Sequence, residues 1–143
     1  NSYGAPKYIN STKWYLVLFY QVKSAYEIQV ILLRGNGKDV RDLIWMGDVC
    51  TVLERGLSFT SNNIYNLSSG KTYEMMTLAK KVQKVYEDRY REKIEIIINK
   101  ADRAKHSDLR VVNSKIKKCI NFEFKDNLED EIVSIFNLLE KSK

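Results

Sequence analysis

Short β-branched runs alternate with helical apolar stripes along nearly the whole chain, and this alternation constrains the fold more than any other feature. Gln29-Val30-Ile31-Leu32-Leu33 and Ile94 to Ile98 read as strands, and so does Ile64-Tyr65-Asn66-Leu67. From Thr12 to about Tyr26, the residues Trp14, Leu18, Val22 and Ala25 recur at helical spacing. After Thr72, which reads as an N-cap, Met75, Leu78, Ala79, Val82, Val85 and Tyr86 fall on one helical stripe. A short helix capped by Asn113 or Ser114 is expected next, and a last one capped by Asn127. That last helix buries Leu128, Ile132, Phe136 and Leu139. It places Glu129, Asp130 and Glu131 in its first turn and Lys141 and Lys143 at its end, as the macrodipole favours.

Between the first strand and the Thr72 helix, Gly35-Asn36-Gly37 reads as a hairpin turn. Val40 to Trp45 then reads as one strand, with Val40, Asp42 and Ile44 on one face and Arg41, Leu43 and Trp45 on the other. Asp48 is expected to cap a helix burying Val49, Val52, Leu53, Gly56 and Leu57. One proline and six glycines in 143 residues imply long elements and short loops. The predicted class is α/β, with short strands alternating with helices. A single domain spanning 1–143, or a piece of a larger one, suits this length.

Several function classes are excluded or weakened by simple counts. The longest apolar run, Trp14 to Tyr20, is far shorter than the roughly 20 residues a membrane span needs. No Lys/Arg-led apolar stretch opens the chain, so no secretory leader and a cytoplasmic location are expected. The chain opens Asn1-Ser2-Tyr3-Gly4, inside what reads as a motif, so a fragment or a processed product is expected. Cys50 and Cys119 have no Cys or His partner nearby in sequence, and are expected to be reduced, buried thiols. With His106 the single histidine, His-based zinc sites and Ser-His-Asp arrangements are hard to build.

The net charge is +6, with 7 basic and 5 acidic groups in residues 1–70 and 17 and 13 in the remainder. Cations interleaved with acids in this way suggest a solvated surface with a few cations reserved for an anionic ligand. A nucleic-acid interface shows a concentrated basic stripe instead, and the aromatics here fall mostly on core positions rather than within a basic run. Neither nucleic acid nor membrane is expected as a partner.

Three apparent motifs carry little. Gly35-Asn36-Gly37 lacks the third glycine of a dinucleotide fingerprint, and a strand follows where a phosphate-binding helix should begin. Tyr3 and Lys7 have Tyr-x-x-x-Lys spacing, but Gly4 and Pro6 break the helix that would align them. Asp39, Asp42 and Asp48 offer carboxylates for an acid/base pair, although Asp48 suits a cap better. Arg41 is more informative. A guanidinium on the inner face beside Leu43 and Trp45 is costly if unpaired. Either a bidentate anion such as a diphosphate or an internal salt bridge would account for it.

Four stretches resemble, in order, the extended short-chain dehydrogenase/reductases, that is, the NAD-dependent sugar-nucleotide epimerases and dehydratases. Asn1-Ser2-Tyr3-Gly4-Ala5-Pro6 is similar to their Asn-x-Tyr-Gly-x-Pro loop. The run Gly35 to Val49 resembles Gly-x-Gly-x-x-x-Arg-Asp-(Phe/Trp)-Ile-x-Val-x-Asp-Val, and Tyr65 to Thr72 resembles Tyr-Asn-Ile-Gly-x-Gly. Asp102-Arg103, Asn113-Ser114-Lys115-Ile116 and Leu128 to Ile132 are similar to the closing stretch. The chain departs from the pattern at Gly47, at Ser68 and at Ala104-Lys105.

The resemblance covers only the family's C-terminal half. It implies the substrate-binding part of an extended Rossmann-like short-chain dehydrogenase/reductase. The dinucleotide-binding portion, the catalytic Ser/Thr and the Tyr-x-x-x-Lys pair would lie upstream. By the same resemblance, Asn1, Arg41 and Arg103 would contact a nucleoside-diphosphate sugar around its diphosphate. NAD or NADP would be held by an intact, homodimeric parent and not by this portion alone, which would contribute no catalytic residue. The alternative expectation is a stand-alone nucleotide- or protein-binding module without catalysis, docking through the Trp14–Tyr20 helix.

Overall fold

The β-branched runs at Val30–Arg34 and Glu95–Asn99 lie side by side in parallel, with Ile31 opposite Ile96 and Leu33 opposite Ile98. Parallel neighbours require a crossover, and the segment between them includes the long helix Met75–Tyr90, which packs on both strands. The computed structural model describes residues 1–10, 12–60, 63–99 and 109–142. In chain order the elements are β1 (Ser2–Tyr3), α1 (Val17–Ile28), β2 (Val30–Arg34), β3 (Val40–Asp42), β4 (Ile44–Trp45) and α2 (Met46–Gly56). They continue with β5 (Thr72–Glu74), α3 (Met75–Tyr90), β6 (Glu95–Asn99), α4 (Ser114–Ile120) and α5 (Leu128–Glu140). Besides the β2–β6 pair, β1 runs parallel to β4, and β3 runs antiparallel to β5.

Helices α1, α3 and α5 pack on one another, and α1 and α3 pack on β2. Val22 and Ala25 of α1, Leu78, Ala79 and Val82 of α3, and Ile132, Ile135 and Phe136 of α5 have no solvent exposure. Each large aliphatic or aromatic side chain so buried contributes about 1.5–3 kcal/mol. Phe136 meets the rings of Tyr86 and Tyr90 edge-on at 6.0 and 5.7 Å. The stripes expected on α3 and α5 are therefore the faces that build the core.

On the rim of that core, Arg89 grips Glu140 at 2.7 and 2.9 Å, and the Tyr90 hydroxyl donates to the same carboxylate at 2.7 Å. Arg89 first, then Tyr90, hold the Glu140 carboxyl down to about 2. A depressed folded-state value means the contribution is full above the unfolded value, about 4.3, and is lost as pH falls toward about 2. Because the Glu140 side chain is 37% exposed, screening keeps the effect below about 1 kcal/mol. Glu140→Gln is expected to flatten the acid limb of stability in denaturant melts between about pH 5 and about pH 2. An unchanged limb would remove the pair from this account.

Several expectations are corrected. α1 begins at Val17, not Thr12; the preceding residues form turns, pinned by the Trp14 indole donating to the Ile9 carbonyl at 2.9 Å. Gly35-Asn36-Gly37 is a turn, with φ of 69° at Gly35 and 75° at Gly37, but not a hairpin, because β2 and β3 enter different pairs. Val40 to Trp45 is two strands that break at Leu43, since β3 pairs with β5 and β4 with β1. Ile64 to Leu67 forms no strand, and Ile64 is exposed. Thr72 lies in β5 rather than capping α3, and Asp48 lies inside the first turn of α2 rather than capping it. Of the face expected on α2, Val52 is buried, whereas Leu53 and Leu57 are exposed. Cys50 and Cys119 are free, as expected, but exposed.

Candidate functional site

The polar network around β3 and β4 determines where the Asn-x-Tyr-Gly-x-Pro-like loop sits. The Asn1 nitrogen donates to the Asp42 carbonyl at 3.1 Å, and Ile44 N–H donates to the Asn1 carbonyl at 2.9 Å. Those two bonds seat β1 beside β4 and put Asn1 one residue from Arg41 of β3. The Asp42 carboxylate is buried at 3% exposure. It accepts from Ser69 N–H at 3.0 Å, Ser69 Oγ at 3.3 Å and Gly70 N–H at 3.0 Å. Gly70 makes this clasp possible, because its φ of 74° is one that side chains with a Cβ rarely adopt.

The far end of the loop is held by α5. Ala5 N–H donates to Glu131 Oε2 at 2.5 Å, and Trp45 Nε1 donates to Glu131 Oε1 at 2.6 Å. Tyr3 is buried, and its hydroxyl accepts from Asn127 N–H at 3.1 Å. Burial first, helped by the nearby carboxylates of Asp126, Asp48 and Glu131 and opposed by the Asn127 bond, pushes the Tyr3 phenol up to about 12. It is therefore a neutral structural group at ordinary pH. Gly47 fits the same packing. A Cβ there would come within 2.4 Å of the Trp45 ring, so the departure from the family pattern at Gly47 accommodates the indole. Ser68, another departure, is buried and donates to the Val111 carbonyl at 3.1 Å.

Between this loop, the start of α1 and the β2–β3 turn lies a cleft of about 290 Å³ lined by Asn1, Leu16, Tyr20, Gln21, Asp39 and Arg41, among others. A broader furrow of about 820 Å³ runs alongside, walled by the Ser2 to Tyr8 stretch, Phe19 and Met46. The two share Leu16. Arg41 is half-buried, donates to the Val40 carbonyl at 3.0 Å, and has Asp39 Oδ2 at 3.7 Å from one guanidinium nitrogen. Both explanations left open by the sequence thus have a counterpart. An acidic neighbour is present, and the guanidinium also faces a cleft. At 3.7 Å the ion pair exceeds hydrogen-bond length, and such half-exposed pairs are worth little.

The expected site residues fare differently. Asn1 and Arg41 are brought to one cleft. Arg103 lies outside the described residues, as does His106. Of the three aspartates, only Asp39 lines the cleft. Asp42 is the buried charge of the strand, on the face opposite Arg41. Asp48 is buried beneath Lys125, whose N–H it accepts at 2.7 Å; burial first raises its carboxyl, and Lys125 opposes the shift. The three aspartates form no acid/base pair. The sequence reading missed Gln21, although its polar character at position i+3 from Leu18, on the buried stripe of α1, was a usable signal. Among the described residues no group of three or more His, Cys, Asp or Glu is placed to hold a metal ion.

No family model matches the sequence, and no curated protein matches it. Solved structures do match in fold. The RMD protein of Pseudomonas aeruginosa, complexed with NADPH, superposes with a TM-score of 0.77 at 16% identity over 100% of this chain and 46% of that one. UDP-glucuronic acid 4-epimerase of Bacillus cereus, in complex with UDP-glucuronic acid and NAD, gives 0.76 at 13% identity, covering 100% and 44%. UDP-N-acetylglucosamine 4-epimerase of Methanobrevibacter ruminantium, in complex with UDP-N-acetylmuramic acid, gives 0.75 at 18% identity, again over 100% and 44%. The chain spans less than half the length of these structures. Its fold is the C-terminal part of the extended short-chain dehydrogenase/reductase fold, as the sequence resemblance implies.

Proposed function

We propose that this chain is the sugar-nucleotide-binding portion of an NAD(P)-dependent sugar-nucleotide epimerase or dehydratase. The observation that carries the proposal is the convergence of Asn1 and Arg41 on one cleft within a fold shared with nucleotide-sugar enzymes. In this reading Arg41 binds the diphosphate through forked, charge-assisted hydrogen bonds, displacing Asp39 as its ionic neighbour. The Asn1 carboxamide donates to the same group. Arg103 is proposed as the second cation on the diphosphate.

The residues described here do not fit a nicotinamide dinucleotide. The Gly35-Asn36-Gly37 turn leads into β3 rather than into a helix, so it offers no helix N-terminus to a pyrophosphate. NAD or NADP is therefore assigned to a preceding dinucleotide-binding portion of a longer parent, with residues 1–143 as the substrate portion. The dinucleotide supplies the hydride chemistry; this portion binds and orients the sugar nucleotide and by itself turns nothing over. A cytoplasmic, homodimeric parent completes the proposal. No helix among the described residues is long and apolar enough to cross a membrane.

Calorimetric titration of the chain with UDP-glucuronic acid and with UDP tests this reading. A single saturable site for both is expected. No heat with either ligand, alongside sharply salt-dependent binding to arbitrary duplex DNA, would replace it with a nucleic-acid reading.

A further inference from the structure

The buried face of α1 carries one long polar side chain that nothing in the fold explains. Gln21 is 1% exposed, and neither its Oε1 nor its Nε2 has a hydrogen-bond partner among the described residues. Its backbone carbonyl is served by Ser24 Oγ at 3.1 Å, but that bond leaves the carboxamide untouched. Leu18, Val22 and Ala25 surround it on the same helical face, where a leucine or methionine would pack without any polar group to satisfy. A buried amide without partners is unfavourable and rare in native chains. Gln21 also lines the cleft that Asn1 and Arg41 share.

We propose that Gln21 is a specificity-determining contact for the nucleotide. Its carboxamide exchanges a donor–acceptor pair with a neutral group of the ligand whose diphosphate lies at Arg41. The oxygen accepts from an N–H or O–H of that group, and the Nε2 donates to a carbonyl or hydroxyl oxygen beside it. The imide edge of a pyrimidine base and the diol of the ribose both present this chemistry. The inference rests on the nucleotide-binding reading above. It adds a residue that discriminates, where Arg41 and Asn1 supply attraction for any diphosphate. It also accounts for the unpaired amide: binding satisfies a group that the ligand-free chain leaves unsatisfied.

The test compares wild type, Gln21→Met and Gln21→Leu as full chains, by thermal melts without ligand and by calorimetry with UDP and with ribose 5-diphosphate. Removing the unpaired amide is expected to raise the melting temperature by roughly 3 °C or more. The same change is expected to weaken UDP binding about tenfold. A purely structural glutamine does not move the two readouts in opposite directions. If only UDP is weakened, the base carries the pair; if ribose 5-diphosphate is weakened equally, the diol carries it. Unchanged UDP affinity in both variants overturns the inference and leaves the nucleotide reading standing, whereas a wild type that binds neither ligand overturns both. Should neither variant fold, the Gln21 side-chain amide resonance of the wild type decides. It must shift on saturation with UDP, and a resonance that stays in place overturns the proposal.

Discussion

Arg41→Ala weakens binding of a nucleoside diphosphate by roughly 10- to 100-fold, because a charge-assisted hydrogen bond to an anion is worth about 1.5–3 kcal/mol. The stability of the ligand-free chain is expected to fall by no more than about 2 kcal/mol. The Asp39 pair that the substitution removes is 3.7 Å long, worth below about 1 kcal/mol, and the hydrogen bond to the Val40 carbonyl that goes with it is worth about 1 kcal/mol. Arg41→Lys is expected to recover only part of the affinity, since an ammonium offers a point charge where the guanidinium offers a planar fork. Calorimetric titration alongside thermal melts separates the two effects. A large drop in melting temperature with unchanged affinity would assign Arg41 to an internal salt bridge instead.

Asp42→Ala acts through the scaffold and not through the ligand. Its buried carboxylate accepts three hydrogen bonds from Ser69 and Gly70. Removing it leaves the buried Ser69 N–H and the part-buried Gly70 N–H without this partner, at a cost of about 3 kcal/mol. For a chain of this length that corresponds to a fall in melting temperature of roughly 10 °C. Ser69→Ala removes the hydroxyl's contact with Asp42 and its bonds to the Lys71 carbonyl and N–H but keeps both backbone bonds to the carboxylate, so a smaller loss of about 1–2 kcal/mol is expected. Because β3 also seats Asn1 through the Asp42 carbonyl, the Asp42 variant is expected to lose affinity along with stability. Urea melts of the two variants check the order. Equal stabilities would mean that the clasp is not holding the Ser69-Gly70 turn against β3.

The parts of this fold that were legible in the sequence are those governed by helical periodicity. The α3 and α5 stripes, from Met75 to Tyr86 and from Leu128 to Leu139, read correctly because one face of each is buried along its whole length. The runs expected as strands at 29–33 and 94–98 form strands one residue further on, at 30–34 and 95–99, and were legible because short apolar stretches rich in valine, isoleucine and leucine fill them. The errors cluster where short local segments serve long-range partners. Val40 to Trp45 reads as a single alternating strand, yet its two ends pair with residues more than 25 positions away, so it must break at Leu43. Asp48 has a capping side chain, but the backbone N–H of Lys125 claims its carboxylate first. Cys50 and Cys119 read as buried because thiols usually are, while nothing local records that their helices turn those faces outward.

The site divides in the same way. Arg41 was conspicuous because a cation in an apolar strand needs a reason. Its proximity to Asn1, 40 positions earlier, is imposed by the β1–β4 pairing and is invisible to any local pattern. Gln21 was overlooked because a single polar residue on a helical stripe is ordinarily discounted. Only its lack of partners among the described residues, together with its position on the cleft wall, gives it meaning.

The central claim, that Asn1 and Arg41 share one diphosphate-binding cleft, is tested most directly by amide and guanidinium chemical-shift mapping of the chain during titration with UDP. The account predicts saturable shifts confined to the Asn1 side-chain amide, Arg41 Nε–H, the Gly35 to Val40 turn and the start of α1 from Leu16 to Gln21. Shifts concentrated instead on the basic α4 surface around Lys115, Lys117 and Lys118, or no shifts at saturating ligand, would contradict it.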